Sequence, residues 1–131
     1  VGDAMWYHGG DPEKNGGIDR RYVVERRDAT WEAYVATGKA RAGIFGDEHN
    51  YSRTLIDASV NSRYARPAWQ IISGGAGAPY HARNPEVPWA DGVRASSVQI
   101  HYVLFEVNGP AVHMEVISST GEVIDRADLT P

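Results

Sequence analysis

A short polar stretch directly after the apolar pair Ile44-Phe45 contains residue types that could bind a metal ion. Gly46 permits a sharp turn, and Asp47 and His49 follow it with one residue between them. In an extended or turning segment, side chains at that spacing project to the same side. Carboxylate oxygen and imidazole nitrogen together suit divalent Zn, Mn, Fe or Co. Because Asp-x-His also occurs often by chance, a turn whose polar residues simply face water explains the same pattern.

The residues just after this pair could hold an anion. Asn50, Tyr51 and Arg53 supply an amide, a phenol and a fixed cation, which are groups that bind anionic substrates. A second candidate ligand is His8, which follows the apolar residues Ala4 to Tyr7. These residues predict a short strand, and ligand groups in open α/β sheets gather at the carboxyl ends of strands. A purely structural histidine at a strand end is equally compatible with this sequence.

The remaining histidines and one glycine cluster are weaker candidates. His81 lies in a proline-rich segment, while His101 and His113 fall within alternating apolar runs that predict strands. The cluster Gly74-Gly75-Ala76-Gly77 could cradle a phosphate. It lacks the Lys and Ser/Thr of a P-loop, however, and no helical pattern follows it, so we interpret it as a tight strand exit.

Length and composition indicate one globular domain that spans residues 1–131. Apolar residues make up 42% of the chain and charged residues 23%, and the net charge of −4 argues against a general nucleic-acid-binding protein. No apolar run is long enough to predict a membrane span. Cysteine is absent, which excludes a disulfide scaffold. The start at Val1, without an initiator Met, leads us to expect a processed or deliberately cut product.

Hydrophobic periodicity predicts an α/β chain with a β-rich second half. The segment from Arg20 to Thr37 lacks Gly and Pro, and its apolar stripe predicts the main helix. The expected strands are Ala42 to Phe45, Thr54 to Ala58 and Pro67 to Ser73, followed by an irregular loop from Ala78 to Ser97 and a meander over Val98 to Val107, Ala111 to Ile117 and Glu122 to Asp125.

Several of these motifs together resemble the carboxyl-terminal half of calcineurin-like metallophosphoesterases, in particular the purple-acid-phosphatase-like branch. In that family a strand ends in a metal-binding His, a helix follows, and the next strand ends in Gly-His-x-His and then Asn/Ala-Tyr-x-Arg. His8 is similar to the first feature, and Gly46 to Arg53 is similar to the second, with Asp47 in place of the first His of Gly-His-x-His. Ser73 to Gly77 and Gly121 to Asp125 resemble the family's Gly-rich strand exit and closing hairpin.

The resemblance implies a fold, a ligand set and an activity. The fold would be a partial four-layer α/β/β/α sandwich, and the activity would be metal-dependent hydrolysis of phosphoesters. His8, Asp47 and His49 would bind divalent metal ions (Zn, Mn, Fe or Mg), and Tyr51 and Arg53, the residues assigned to catalysis, would steady the loop or the phosphate. Asp is a competent oxygen ligand, so metal binding is compatible with Asp47 on chemical grounds.

The family's amino-terminal motifs, Asp-x-His, Gly-Asp and Gly-Asn-His, have no counterpart in this sequence. Without them, one chain cannot assemble the two-metal site of the family. We therefore expect the chain to pair with an amino-terminal partner chain or with itself. The alternative is a non-catalytic folded fragment that oligomerises and binds metal weakly or not at all.

Overall fold

The computed structural model describes residues 20–83, 85–86 and 89–129. Its main helix, α1 (Arg20–Ala36), coincides with the segment that lacks Gly and Pro. The helix ends at Ala36, and Gly38, two residues later, has a φ of 66° in the left-handed region that suits a residue just after a helix. Trp31 and Val35 are buried one turn apart and fix the face that packs on the sheet.

Asp28 is the one polar residue on the buried face of α1. Its carboxylate accepts hydrogen bonds from the hydroxyl of Tyr64 at 2.8 Å and from the amide of Asn61 at 3.0 Å. The neighbouring Arg27 forms an ion pair with it at 2.6 Å. Because a buried carboxylate is stable only when its oxygens are satisfied, these contacts explain how Asp28 interrupts the apolar row of the helix without cost to the packing.

A four-stranded sheet lies beneath the helix in the order β1-β3-β2-β4. Its strands are β1 (Ala42–Phe45), β2 (Tyr51–Ile56), β3 (Ala68–Ser73) and β4 (Val93–Ser97), the last preceded by a single 3-10 turn at Ala90–Gly92. β1 runs parallel to β3, whereas β2 is antiparallel to both β3 and β4. The chain therefore passes over the carboxyl end of β3 on its way from β1 to β2.

The second sheet is an antiparallel meander in the order β5-β6-β7. Its strands are β5 (His101–Asn108), β6 (Ala111–Ser118) and β7 (Val123–Asp128). Gly109 and Gly121, with φ values of 58° and 87°, make the two connecting turns. These turns require the left-handed conformation that glycine adopts without strain.

Two apolar clusters hold the layers together. One lies between α1 and the first sheet and includes Trp31, Ile56 and Trp89. The other lies between the two sheets and includes Ile71, Met114 and Val116, among others. The layers thus follow the order helix, sheet, sheet. The structure confirms the predicted α/β class with one main helix and a β-rich, mostly antiparallel second half.

Several details differ from the sequence prediction, among them the start of β5 at His101 and the end of β2 at Ile56. Residues 93–97 form the edge strand β4, although they were expected to belong to an irregular loop. β2 begins at Tyr51, three residues before the expected start, because Tyr51 pairs with Ser73 on one side and Ser97 on the other. The last strand continues to Asp128. The predicted strand from Ala4 to Tyr7 lies outside the described residues.

Candidate functional site

Loop 46–50 connects β1 to β2 and crosses the carboxyl ends of the parallel strands β1 and β3. The backbone N–H of Gly74, just after β3, donates to the carbonyl of Asn50 at 3.0 Å. A Cβ atom at Gly74 would overlap the backbone oxygen of Glu48. Only glycine therefore allows this close approach, and the exit of β3 fixes the height of the loop above the sheet. Carboxyl ends of parallel strands are the usual place for ligand-binding groups in α/β sheets.

Asp47 is the only non-glycine residue with positive φ in the part of the chain that the structure describes, at 75°. Asp and Asn tolerate this conformation better than other non-glycine residues do. The side chain is exposed at the outer surface of the loop. Unusual backbone conformations of this kind cluster at ligand sites, where the surrounding structure holds them.

His49 has the hydrogen-bonding pattern of a metal ligand. Its Nδ1 lies 2.7 Å from the carbonyl oxygen of Pro79. A carbonyl can only accept, so Nδ1 carries the proton in this bond, and Nε2 is the ring nitrogen left to bind a metal. A backbone carbonyl that fixes the tautomer and orientation in this way is typical of histidines that bind metals.

His81 lies beside His49. The two rings are stacked, with their centroids 5.2 Å apart and their planes inclined by 26°. Two hydrogen bonds hold the pair in register: the backbone N–H of His81 donates to the carbonyl of His49 at 3.3 Å, and the side-chain amide of Asn50 donates to the carbonyl of His81 at 3.2 Å. Segment 79–81 thus forms one wall of the candidate site. From this segment, the sequence analysis had named only His81, as a weaker candidate.

Tyr51 and Arg53 lie below the loop, between the two sheets, and both bind Asp125 of β7. The Tyr51 hydroxyl donates to Asp125 Oδ2 at 2.6 Å, and Arg53 donates to the same carboxylate through Nε at 2.7 Å and through Nη2 at 3.1 Å. The Arg53 guanidinium also lies 4.7 Å from the ring centroid of Trp69. Tyr51, Arg53 and Asp125 together form a charged cluster, which we call the inter-sheet cluster.

Burial and hydrogen bonding shift the pKa values in the inter-sheet cluster. Burial, with the hydrogen bond to Asp125, raises the pKa of Tyr51 far above its ordinary value, so the phenol remains a donor. Burial alone would raise the pKa of Asp125, but hydrogen bonds from Arg53 and Tyr51 outweigh it and hold that pKa below its ordinary value. The hydrogen bond to Asp125 raises the pKa of Arg53 despite its burial.

His101 and His113 both lie in strands, as the alternating pattern predicted. His101 is buried, and its ring bonds to the Ser73 hydroxyl at 3.1 Å and to the Gln99 carbonyl at 2.8 Å. His113 lies on the outer face of the second sheet, with its Nδ1 2.8 Å from Asp128. The polar contacts of His101 and of His113 are with residues outside loop 46–50, and neither histidine belongs to that loop.

The structure brings the predicted residues together in two groups. Asp47 and His49 share loop 46–50, and Tyr51 and Arg53 belong to the inter-sheet cluster beneath it. His8 lies outside the described residues. Within the described ranges, no three or more His, Asp or Glu side chains are grouped so that they could hold a metal ion. A third ligand for Asp47 and His49 would have to come from elsewhere, and His8 is the residue predicted for that place.

Asp125 is the functional residue to which sequence reasoning gave no role. It appeared only as the last residue of the closing hairpin, and no local pattern shows that its carboxylate reaches Arg53 across the sheets. Its inward-facing position follows only from its pairing with Val116 in the structure, because the sequence Val123 to Asp128 does not alternate. Such a residue needs a buried cationic partner.

Comparison with family models, curated proteins and solved structures yields no match for this chain. Among the residues that the structure describes, no helix is both long and apolar enough to span a membrane.

Proposed function

We propose that this chain is the metal-binding part of a metal-dependent phosphoester hydrolase. The observation that carries the proposal is spatial: three of the four segments that resemble the metallophosphoesterase family, all except the one around His8, contact one another. Gly74, from the Gly-rich strand exit, touches loop 46–50. Asp125, from the closing hairpin, binds Tyr51 and Arg53 directly after that loop. These contacts between the segments support the proposal.

The donor set suits a divalent ion such as Zn, Mn, Fe or Mg. In the proposal, His8, Asp47 and His49 are the ligands, with His49 binding through Nε2 because its Nδ1 is bonded to Pro79. A bound divalent ion supplies Lewis acidity and neutralises charge in phosphoester hydrolysis. The exposed position of Asp47 leaves room for a substrate beside it.

Tyr51 and Arg53 have the positioning role in this proposal. Their polar atoms are bonded to Asp125, so they steady β2 at the base of loop 46–50 rather than binding the phosphate directly. The position of His49 depends on that strand, since His49 lies two residues before Tyr51. The remaining groups of a two-metal hydrolase would come from an amino-terminal partner chain or from a second copy of this chain.

Metal affinity tests the ligand set directly. We expect His49→Ala, His8→Ala and Asp47→Asn each to weaken binding of Mn²⁺ or Zn²⁺ at least about tenfold, since each removes a coordination bond or a ligand charge. Asparagine at position 47 keeps the tolerance of positive φ, so the backbone of the loop is preserved. Isothermal titration calorimetry measures the affinity, and hydrolysis of an aryl phosphate measures the activity, with and without an amino-terminal partner chain.

The matched control is His113→Ala, which removes an imidazole from the outer face of the second sheet. This variant should bind metal as tightly as the unmodified chain does. If it lost affinity to the same degree as His49→Ala, the ligand assignment would be wrong.

A second candidate function is that of a non-catalytic fragment that oligomerises and binds metal weakly or not at all. It is favoured by the finding that, in the described part of the chain, no three donor residues are grouped to hold an ion. The same titration separates the two candidates: the hydrolase requires metal affinity that depends on His49, and the fragment does not.

A further inference from the structure

A serine and a histidine from the two sheets are hydrogen-bonded beside the Gly-rich exit of β3. Ser73 is the last residue of β3, and His101 is the first residue of β5. Ser73 Oγ lies 3.1 Å from His101 Nε2. The other ring nitrogen, His101 Nδ1, lies 2.8 Å from the carbonyl oxygen of Gln99. Neither Ser73 nor His101 belongs to the metal ligand set proposed above.

The Gln99 carbonyl sets the direction of both hydrogen bonds. A carbonyl oxygen only accepts, so Nδ1 of His101 carries a proton and donates it to Gln99. In the neutral form of the ring, Nε2 is then the acceptor, and the Ser73 hydroxyl donates to it. A hydroxyl bonded to an imidazole whose other nitrogen is held by a third group is the arrangement that activates a serine nucleophile.

Packing holds the His101 ring in this orientation. His101 is only 8% exposed. The Tyr51 ring meets it in an edge contact, with the ring centroids 5.5 Å apart. A Cβ atom at Gly75 would overlap the His101 ring, so the backbone of Gly75 lies directly against it. The imidazole is therefore positioned to accept the Ser73 proton without a rearrangement of the fold.

The surroundings of Ser73 are open to small reactants. Ser73 is partly exposed, and residues 74–77, which follow it, carry no side chain larger than a methyl group. Backbone approaches from two sides, however, because Glu48 lies against Gly74, and Gly75 lies against the imidazole ring. The space beside the hydroxyl therefore suits a small acyl group rather than a bulky one.

We propose that Ser73 is a nucleophile activated by His101 and that it accepts the acyl group of small carboxylic esters. Ser73 Oγ attacks the ester carbonyl carbon, and its proton passes to His101 Nε2. The bond from that carbon to the alcohol oxygen breaks, and the alcohol leaves with the proton from Nε2. Water then attacks the acyl-serine, giving a proton to Nε2 that returns to Ser73 Oγ as the carboxylic acid departs.

The first test is labelling with methanesulfonyl fluoride in the presence of a chelator. A nucleophilic serine oxygen displaces fluoride from this reagent and forms a stable sulfonate. We expect the label on Ser73, located by tandem mass spectrometry. His101→Gln should slow the labelling at least about a hundredfold, because it removes the general base. Ser96→Ala, which removes an exposed hydroxyl from β4, should be labelled at Ser73 as fast as the unmodified chain.

The second test is hydrolysis of 4-nitrophenyl acetate under the same conditions. The unmodified chain should accelerate this reaction, and Ser73→Ala should react no faster than buffer. The decanoate ester should react at least about tenfold more slowly than the acetate, because its acyl chain does not fit beside the two backbone segments. Equal rates for the two esters would overturn the assignment of substrate class.

A further measurement covers the case in which His101→Gln does not fold. Unfolding the unmodified chain in urea separates Ser73 from His101 and should abolish the labelling of Ser73. The proposal is overturned if the folded chain is not labelled at Ser73, if the unfolded chain is labelled equally fast, or if folded His101→Gln reacts like the unmodified chain. His49→Ala should retain both reactions, since neither uses a metal, so this proposal and the phosphoester hydrolase fail independently.

Discussion

At the scale of single residues, the inter-sheet cluster is the most consequential arrangement in the molecule. Arg53 and Asp125 are both largely buried, with side-chain exposures of 12% and 10%, and they come from different sheets. A buried ion pair is costly to break from one side, because the remaining partner becomes an uncompensated buried charge. The cluster therefore locks β2 and β7 in one relative position, directly beneath the candidate metal ligands.

We expect Asp125→Asn to lower the free energy of unfolding by about 3 kcal/mol at pH 7. The folded-state pKa of Asp125 lies below its ordinary value, so its contribution is fully present above about pH 4, the unfolded pKa, and is lost as pH falls through the lower folded pKa. The difference between the two proteins should therefore shrink below about pH 4. Urea denaturation from about pH 3 to about pH 7 measures it.

Asp128→Asn is the control, because Asp128 lies three residues further along the chain, with 80% of its side chain exposed. Its loss should change stability by less than about 1 kcal/mol, as for other surface pairs. A constant difference between the unmodified chain and Asp125→Asn across the pH range would show that the carboxylate charge is not what stabilises the cluster.

At the scale of elements, loop 46–50 depends on the exit of β3. Gly74→Ala should lower the free energy of unfolding by about 2 kcal/mol, because its Cβ would overlap the backbone oxygen of Glu48 and either the loop or the strand end must move. The same displacement should weaken metal binding, since it moves His49. Chemical denaturation and metal titration give the two readouts.

Gly46→Ala is the matched control within the same loop. A Cβ at Gly46 would meet no atom within 4 Å, so the variant should differ from the unmodified chain by less than about 0.5 kcal/mol. If Gly74→Ala were equally harmless, the close approach of β3 to the loop would not fix the site.

Local patterns predicted some elements well and missed others for a physical reason. The helix follows directly from periodicity and from the absence of Gly and Pro, β1 follows from its apolar residues Ile44 and Phe45, and the cluster at Gly74 indicated a tight strand exit. β4 was missed because Val93 to Ser97 is short and polar, and its strand conformation comes from pairing with β2. The partnership of Arg53 with Asp125 joins residues far apart in sequence. Interactions of this kind arise from tertiary packing, which periodicity does not encode.

At the scale of the whole molecule, the outer face of the second sheet carries exposed apolar residues beside the ion pair of Arg126 with Glu115 in the described structure. Tyr102 and Leu104 lie on this face of β5, each with 51% of its surface exposed, and Val123 of β7 lies on the same face. By contrast, Ile71, Ile72 and Val116 are buried within the chain itself. The outer face of the second sheet is therefore a candidate surface for association, whereas the core between the sheets is already covered.

This outer face leads to the prediction of self-association. β5 is also an edge strand, and exposed edges beside apolar side chains favour pairing with another chain. In the absence of an amino-terminal partner chain, a second copy of this chain can cover the face, and we expect a dimer that buries about 2,000 Å² in total.

Sedimentation at micromolar concentration should show a species heavier than the monomer. Leu104→Lys should shift it toward the monomer, whereas Tyr22→Lys, which changes an exposed aromatic residue on α1, should not. A stable monomer of the unmodified chain would show that this face remains exposed to water without association. The prediction that the chain needs a partner would then be wrong.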